Sequence, residues 1–185
     1  MGEVLDGLDQ NSGVAADQSG AGDRRSLRPR LADIGSGAGV PGLVVANALA
    51  GIPVTLIERR EGRATWLEEA AAGLSGEDVV AVVRCADVYD VARGPDRAAF
   101  DVVTARAFGS PASTAELGGA LLRVGGVLVI SEPPNERASR WSSVDLTTLG
   151  LTAVGPVERA GVRFQLLVRR EPLASRFPRR RAGAG

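Results

Sequence analysis

Between residues 31 and 168 the chain alternates short runs of Val, Ile and Leu with longer stretches rich in Ala and Leu. This rhythm predicts an α/β fold in which a parallel sheet is flanked by helices. Predicted strands fall at Leu31–Ile34, Val54–Glu58, Val79–Cys85, Phe100–Thr104 and Val127–Ser131. Helices are expected from about Pro41 to Ala50, Gly62 to Leu74 and Ser113 to Leu122. In the second of these, Ala64, Leu67, Ala71 and Leu74 share one helical stripe, which leaves Trp66 off the stripe and toward a groove edge. After Pro133 and Pro134 the rhythm changes. Leu151–Val157 and Val162–Val168 are β-branched runs joined by a few residues that include Gly161, the pattern of a β-hairpin. The prediction is a mostly parallel seven-stranded sheet ending in an antiparallel hairpin. Nicotinamide-binding folds instead place a helix between their last parallel strands.

The stretch LADIGSGAGVPG, residues 31–42, breaks the first strand into four glycines: Gly35, Gly37, Gly39 and Gly42. Glycine admits backbone angles closed to other residues and lets a ligand approach the main chain, and Pro41 suits the first turn of a helix. The reading is therefore strand, ligand-binding turn, helix N-terminus with N–H groups open to a polar ligand. Mere turn chemistry is the competing explanation. It is countered by Glu58, which closes the second strand where a carboxylate receives ribose hydroxyls. Gly37 to Gly42 spell G-x-G-x-x-G, but counted from the strand Gly35 comes first.

Composition narrows the chemistry. The 185 residues fit one domain, 30–171, with a flexible arm at 1–29 and a basic tail at 172–185. The arm is poor in large apolar groups, with Val4, Leu5 and Leu8 enough for one weak amphipathic turn at most. Basic and acidic residues balance at 22 each, yet every basic residue is arginine, and from Arg159 to Arg181 eight arginines face one acid, Glu171. Histidine is absent, which excludes Ser-His-Asp catalysis, imidazole acid/base work and His metal sites. No metal is expected. The single Cys85 rules out an internal disulfide framework, fits a reducing compartment and reads as a small buried core residue. With no apolar run of membrane-spanning length and no secretory signal, a cytoplasmic protein is expected.

Asp33 to Gly42, DIGSGAGVPG, closely resembles the cofactor loop of the bacterial small-subunit rRNA guanine-N7 methyltransferases, the glucose-inhibited division B type. VTLIERREGR at 54–63, DVVTARA at 101–107 and RFPRR at 176–180 resemble further stretches of that family in the same order. The resemblance implies a Rossmann-like methyltransferase fold with S-adenosylmethionine as cofactor. On this chain Asp33, Gly35, Ser36, Gly37, Gly39, Pro41 and Gly42 would hold the methionine part. Glu58, with Arg59 beside it, would hold the ribose, and Asp87 the adenine, although Asp87 reads equally as a helix-start acid. Arg106 is the expected catalytic and substrate contact at the cofactor's edge, with a solvated surface arginine as the alternative. Arg176, Arg179, Arg180 and Arg181 would add attraction to phosphates and Phe177 a stacking face, or form a merely solvated tail. The partner implied is ribosomal RNA or the small ribosomal subunit, met by a monomer.

Two departures keep other readings open. Family members carry a helical segment ahead of the cofactor loop, where this chain has about 30 polar, glycine-rich residues. After the fifth strand the family usually has lysine and glycine, whereas this chain reads Ser131-Glu132-Pro133-Pro134-Asn135-Glu136, placing acids near the expected substrate mouth. Trp141 is expected either to stack on a base or to cover the sheet edge. The alternatives are a methyltransferase for a small molecule or another nucleic acid, and a non-catalytic relative that binds cofactor or RNA.

Overall fold

The computed structural model describes residues 28–49, 51–74, 79–133 and 140–180. The arm up to residue 27, Ala50, the Pro134–Asn135–Glu136 stretch and Arg181 lie outside the described residues. In chain order the elements are β1 Leu31–Ile34, α1 Gly42–Ala48, β2 Val54–Glu58, α2 Glu61–Ala72, β3 Ala81–Cys85 and α3 Val88–Arg93. Then come β4 Phe100–Arg106, α4 Pro111–Leu121, β5 Leu122–Ser131, β6 Leu151–Arg159 and β7 Val162–Arg169. They build a seven-stranded sheet of order β3-β2-β1-β4-β5-β7-β6. The first five strands are parallel and β7 is antiparallel to both β5 and β6. The predicted α/β sheet with its closing hairpin is therefore the fold observed. At the hairpin turn, Ala160 and Gly161 both have positive φ, 49° and 73°, as a two-residue turn joining right-twisted strands requires.

Alternation along β1 sends Ala32 and Ile34 to one face and Leu31 and Asp33 to the other. Leu31 packs with Leu43, Ala46, Val54, Leu56 and Leu67 beneath α1 and α2. Ile34, Ile57, Phe100, Val103, Leu121 and Leu128 join the larger core beneath α3 and α4, together with Trp141 and Phe177. Of helix α3 only the start was legible, in the helix-start reading of Asp87; its Val88, Val91 and Ala92 form one buried stripe across barely two turns. Cys85, expected in the core, is exposed. It ends β3, the sheet's outer strand, where only one face is covered and the burial of successive residues is mostly partial. Trp66 is exposed and off the buried stripe as expected.

Strand order reverses between β1 and β4, so the carboxyl ends of these neighbours diverge and leave a crevice at the switch point. Arg169 of β7 is buried and donates to Gly119 O near the end of α4 (Nε, 3.0 Å) and to Glu171 O (3.0 Å). A cation at these carbonyls complements the helix dipole, while burial lowers its pKa to about 10.

Candidate active site

The crevice is a cleft of about 630 Å³, within the range of cofactor pockets. Its floor is Gly35, Ile57 and Glu58, the ends of β1 and β2. One wall is Ala86 to Asp90 at the start of α3; another is Ala107, Phe108 and Gly109 after β4. Arg59, Arg60 and Arg63 flank it from the start of α2, and Arg179 and Arg180 from the C-terminal segment.

The glycine loop is tightly self-bonded. Gly35 N and Ser36 N both donate to Ile57 O (2.8 and 3.2 Å), and Gly39 N donates to Ser36 O (2.7 Å). Gly35, Gly37 and Gly39 have φ of 65°, 54° and 77°, the left-handed region that glycine alone enters readily. Gly35 lines the cleft, and a Cβ there would stand 2.7 Å from the Phe108 ring. Gly37 and Gly39, in the turn, and Gly42, the first residue of α1, are not part of the cleft lining. Pro41 is the N-cap of α1, one residue before the helix begins. Leu43 N donates back to Gly39 O (2.7 Å), so the helix end, expected to be open to ligand, is closed in part by its own loop.

Glu58 is buried and accepts Gly37 N at Oε2 (3.0 Å) and Arg60 N at Oε1 (2.9 Å). Each oxygen retains a further lone pair, so the same carboxylate that holds the loop has acceptors left for a ligand's hydroxyls. Asp87 is the N-cap of α3, accepting Tyr89 N (2.9 Å), and also lines the cleft. Asp33 is not in the cleft wall. It sits beneath the loop, 1% exposed, with Oδ1 accepting Thr104 Oγ1 (2.6 Å). Its Oδ2 makes no hydrogen bond of good geometry, and the Gly42 backbone beside it is a polar group that favours its charged form. Ser36 is likewise buried, its hydroxyl donating to Asp33 O (2.9 Å). A glycine turn whose first residue lines the cleft, and a carboxylate with spare acceptors, suit a cofactor bearing a ribose.

Burial holds the Asp33 carboxyl above the usual carboxylate range, outweighing its hydrogen bond from Thr104. The folded chain therefore binds this proton more tightly than the unfolded chain, and the stability it contributes at acid pH is lost as the pH rises from about 4 through the folded value. Asp33→Asn carries no such proton. Relative to the parent, the variant should gain stability as the pH rises above about 4, measured as urea midpoints at each pH. A difference that stays flat with pH would show that Asp33 does not titrate in this way.

Arg106 ends β4 and is exposed; it lies outside the cleft wall, although the next three residues form that wall. Ala107 turns the chain there with a φ of 49°. Of the C-terminal arginines, Arg179 and Arg180 reach the cleft, whereas Arg176 rests on the Phe177 ring (4.9 Å) away from it. Glu132, expected as an acid at the substrate mouth, is buried instead. It accepts Trp141 Nε1 (2.8 Å), and Arg140 Nε lies 3.7 Å from its other oxygen. Trp141 is correspondingly buried, and it is the partner that keeps Glu132 inside. Among the described residues no cluster suited to a metal ion occurs, and no helix is long and apolar enough to cross a membrane.

Sequence reasoning missed Arg60, Arg63, Tyr89 and Phe108 as cleft residues. Arg60 and Arg63 were within reach, since they share with Arg59 the first turn after Glu58; Tyr89 and Phe108 follow from turns that spacing alone does not show.

Comparison with known proteins agrees with this geometry. Residues 20–136 match the family profile of rRNA small subunit methyltransferase G. A ribosomal RNA small subunit methyltransferase G from Clavibacter sepedonicus is 39% identical over 140 residues, covering 70% of this chain and 64% of that protein. Its counterpart in Roseiflexus castenholzii is 36% identical over 165 residues, covering 81% and 66%. The chain thus spans just under two thirds of the length of these relatives.

Among solved structures, a 16S rRNA (adenine(1408)-N(1))-methyltransferase from Catenulisporales acidiphilia, with cosubstrate SAM, superposes with a TM-score of 0.61 at 14% identity, covering 81% of this chain and 89% of that one. A magnesium protoporphyrin IX methyltransferase from Synechocystis with bound SAM gives 0.56 at 16% identity, covering 77% and 70%. Substrates so different on one scaffold mean that these likenesses establish the Rossmann-like methyltransferase fold and nothing finer. The sequence relationship goes further: the chain belongs to the rRNA small subunit methyltransferase G family.

Proposed function

We propose that this protein transfers a methyl group from S-adenosylmethionine to N7 of a guanine in small-subunit ribosomal RNA, working among ribosomes in the cytoplasm. The observation that carries the reading is the alignment of Gly35, Glu58 and Asp87 along one cleft at the switch point, in a chain of this family. The cofactor supplies an electrophilic methyl group on a sulfonium. Guanine N7 offers an unprotonated lone pair, so no base has to remove a proton, and a site without histidine suffices. Glu58 orients the ribose, the glycine loop admits the methionine part, and Phe108 with Ala107 and Gly109 bounds the space at the methyl end. Arg106, exposed beside that wall, is the contact for guanine O6 or a neighbouring phosphate.

The rival, a methyltransferase for a small molecule or another nucleic acid, drew support from Glu132, Glu136 and the missing helical segment; with Glu132 turned inward onto Trp141 the first of these three no longer supports it. The test is methyl transfer to 30S particles, free rRNA and whole ribosomes from cells lacking the endogenous enzyme. Labelled N7-methylguanine is the expected product. Arg106→Ala should reduce the rate tenfold or more, about 1.4 kcal/mol, while the affinity for S-adenosylmethionine stays unchanged. No transfer to any of the three substrates would put the small-molecule reading ahead of the rRNA one.

A further inference from the structure

The C-terminal segment contributes two arginines to the cleft, and it is held far more firmly than a solvated tail requires. Arg97, in the turn after α3, donates to the carbonyls of Leu173 (3.0 Å), Ala174 (3.2 Å) and Phe177 (2.7 Å). Arg93 of α3 donates to Ser175 O (2.7 Å). Phe177 is buried in the main core. From inside α4, Glu116 takes Arg179 side-on: Nε lies 3.1 Å from Oε2, the terminal NH2 donates to the same oxygen at 2.8 Å, and the backbone N–H of Arg179 donates to Oε1. Glu116 is 1% exposed, and its carboxylate keeps the Arg179 guanidinium protonated beyond its ordinary range.

A buried carboxylate is a poor device for stability, because desolvation offsets most of the attraction and an apolar residue serves as well; what such a pair supplies is a fixed position. Here the position is informative. With the methionine part at Gly35 and the ribose at Glu58, the next strand end along the sheet is that of β3, so the base of the cofactor falls at Ala86 to Tyr89. Arg179 and Arg180 stand at that place: the Arg180 guanidinium lies 5.5 Å from the centre of the Tyr89 ring, and both arginines line the cleft.

We propose that Glu116 is a positioning residue which, through Arg179, fixes residues 173–180 as the wall that the adenine of the cofactor meets, with Arg180 on Tyr89 as its face. The inference rests on the cleft being an S-adenosylmethionine site. It is tested in the full chain by calorimetry with S-adenosylhomocysteine and with adenosine, which lacks the methionine part. Glu116→Gln and Arg179→Ala should each weaken both ligands tenfold or more. The double variant should be no worse than either single one, because the two residues act as a unit. Arg179→Lys, still able to pair with Glu116, should recover part of the loss.

A purely structural pair would lower the melting temperature and leave the affinities of the folded protein within twofold of the parent, which would overturn the proposal. Should Glu116→Gln not fold, Arg180→Ala decides. Its side chain is exposed, and an affinity for adenosine unchanged from the parent would equally overturn the proposal. If the parent chain itself binds no S-adenosylhomocysteine, the cofactor reading falls and this inference with it; if the parent binds and the variants match it, the inference alone falls.

Discussion

Glu58→Ala is expected to weaken S-adenosylmethionine binding by about 100-fold, roughly 2.7 kcal/mol. Two losses combine. The carboxylate no longer accepts the ribose hydroxyls, and hydrogen bonds to a charged group are each worth about 1.5–3 kcal/mol. The Gly37 and Arg60 N–H groups also lose their acceptor, so the loop that must admit the methionine part is no longer tied to β2. Glu58→Gln keeps one carbonyl acceptor and should fall between, near tenfold, about 1.4 kcal/mol. Calorimetry on the folded variants measures both. An affinity for Glu58→Ala equal to that of the parent would remove Glu58 from the cofactor site and leave it as a loop anchor only.

This double use of Glu58 marks the limit of what the chain disclosed before it was folded. Its place after an apolar run announced a second-strand carboxylate, because strand ends and glycine turns are local patterns. The hairpin was legible for the same reason: two β-branched runs with Gly161 between them have few other ways to pair. Pairings across long stretches of chain were not. Glu116 reads as one more polar residue in an Ala/Gly-rich helix until Arg179, 63 residues later, is laid against it. Arg97 similarly appears as a loop arginine, yet it collects carbonyls more than 70 residues away. The basic tail was visible as charge, while its fixed course depends on the burial of Phe177 and on those distant partners. Glu132 and Cys85 were misjudged through their surroundings: whether a strand end faces solvent depends on what covers it, which the strand's own residues do not state.

The four glycines of the loop look interchangeable in the chain, and the structure predicts that they are not. At Gly37 an added Cβ would find only Gly35 O at 3.6 Å and a guanidinium nitrogen of Arg63 at 3.9 Å. Gly37→Ala therefore meets only the left-handed backbone penalty, about 1–2 kcal/mol. At Gly39 the φ of 77° carries the same penalty, and the Cβ would also stand 2.8 Å from Cγ of Leu43 and nearer still to its Cδ1. Leu43 is itself packed against the core under α1, so it has little room to give, and overpacking adds about 1–3 kcal/mol. The sum for Gly39→Ala is about 3 kcal/mol, which for a domain of this size lowers the melting temperature by roughly 6–12 °C. Gly42 needs no special φ, but its Cβ would press on Asp33 Cβ at 2.9 Å and on Oδ2 at 2.7 Å, both immobile in β1. Gly42→Ala should accordingly lose about 1–3 kcal/mol from packing alone. The expected order of melting temperatures is parent, then Gly37→Ala, then Gly39→Ala lowest. If Gly37→Ala melts as low as Gly39→Ala, the loop is governed by backbone strain alone and the packing of Leu43 beneath it contributes nothing.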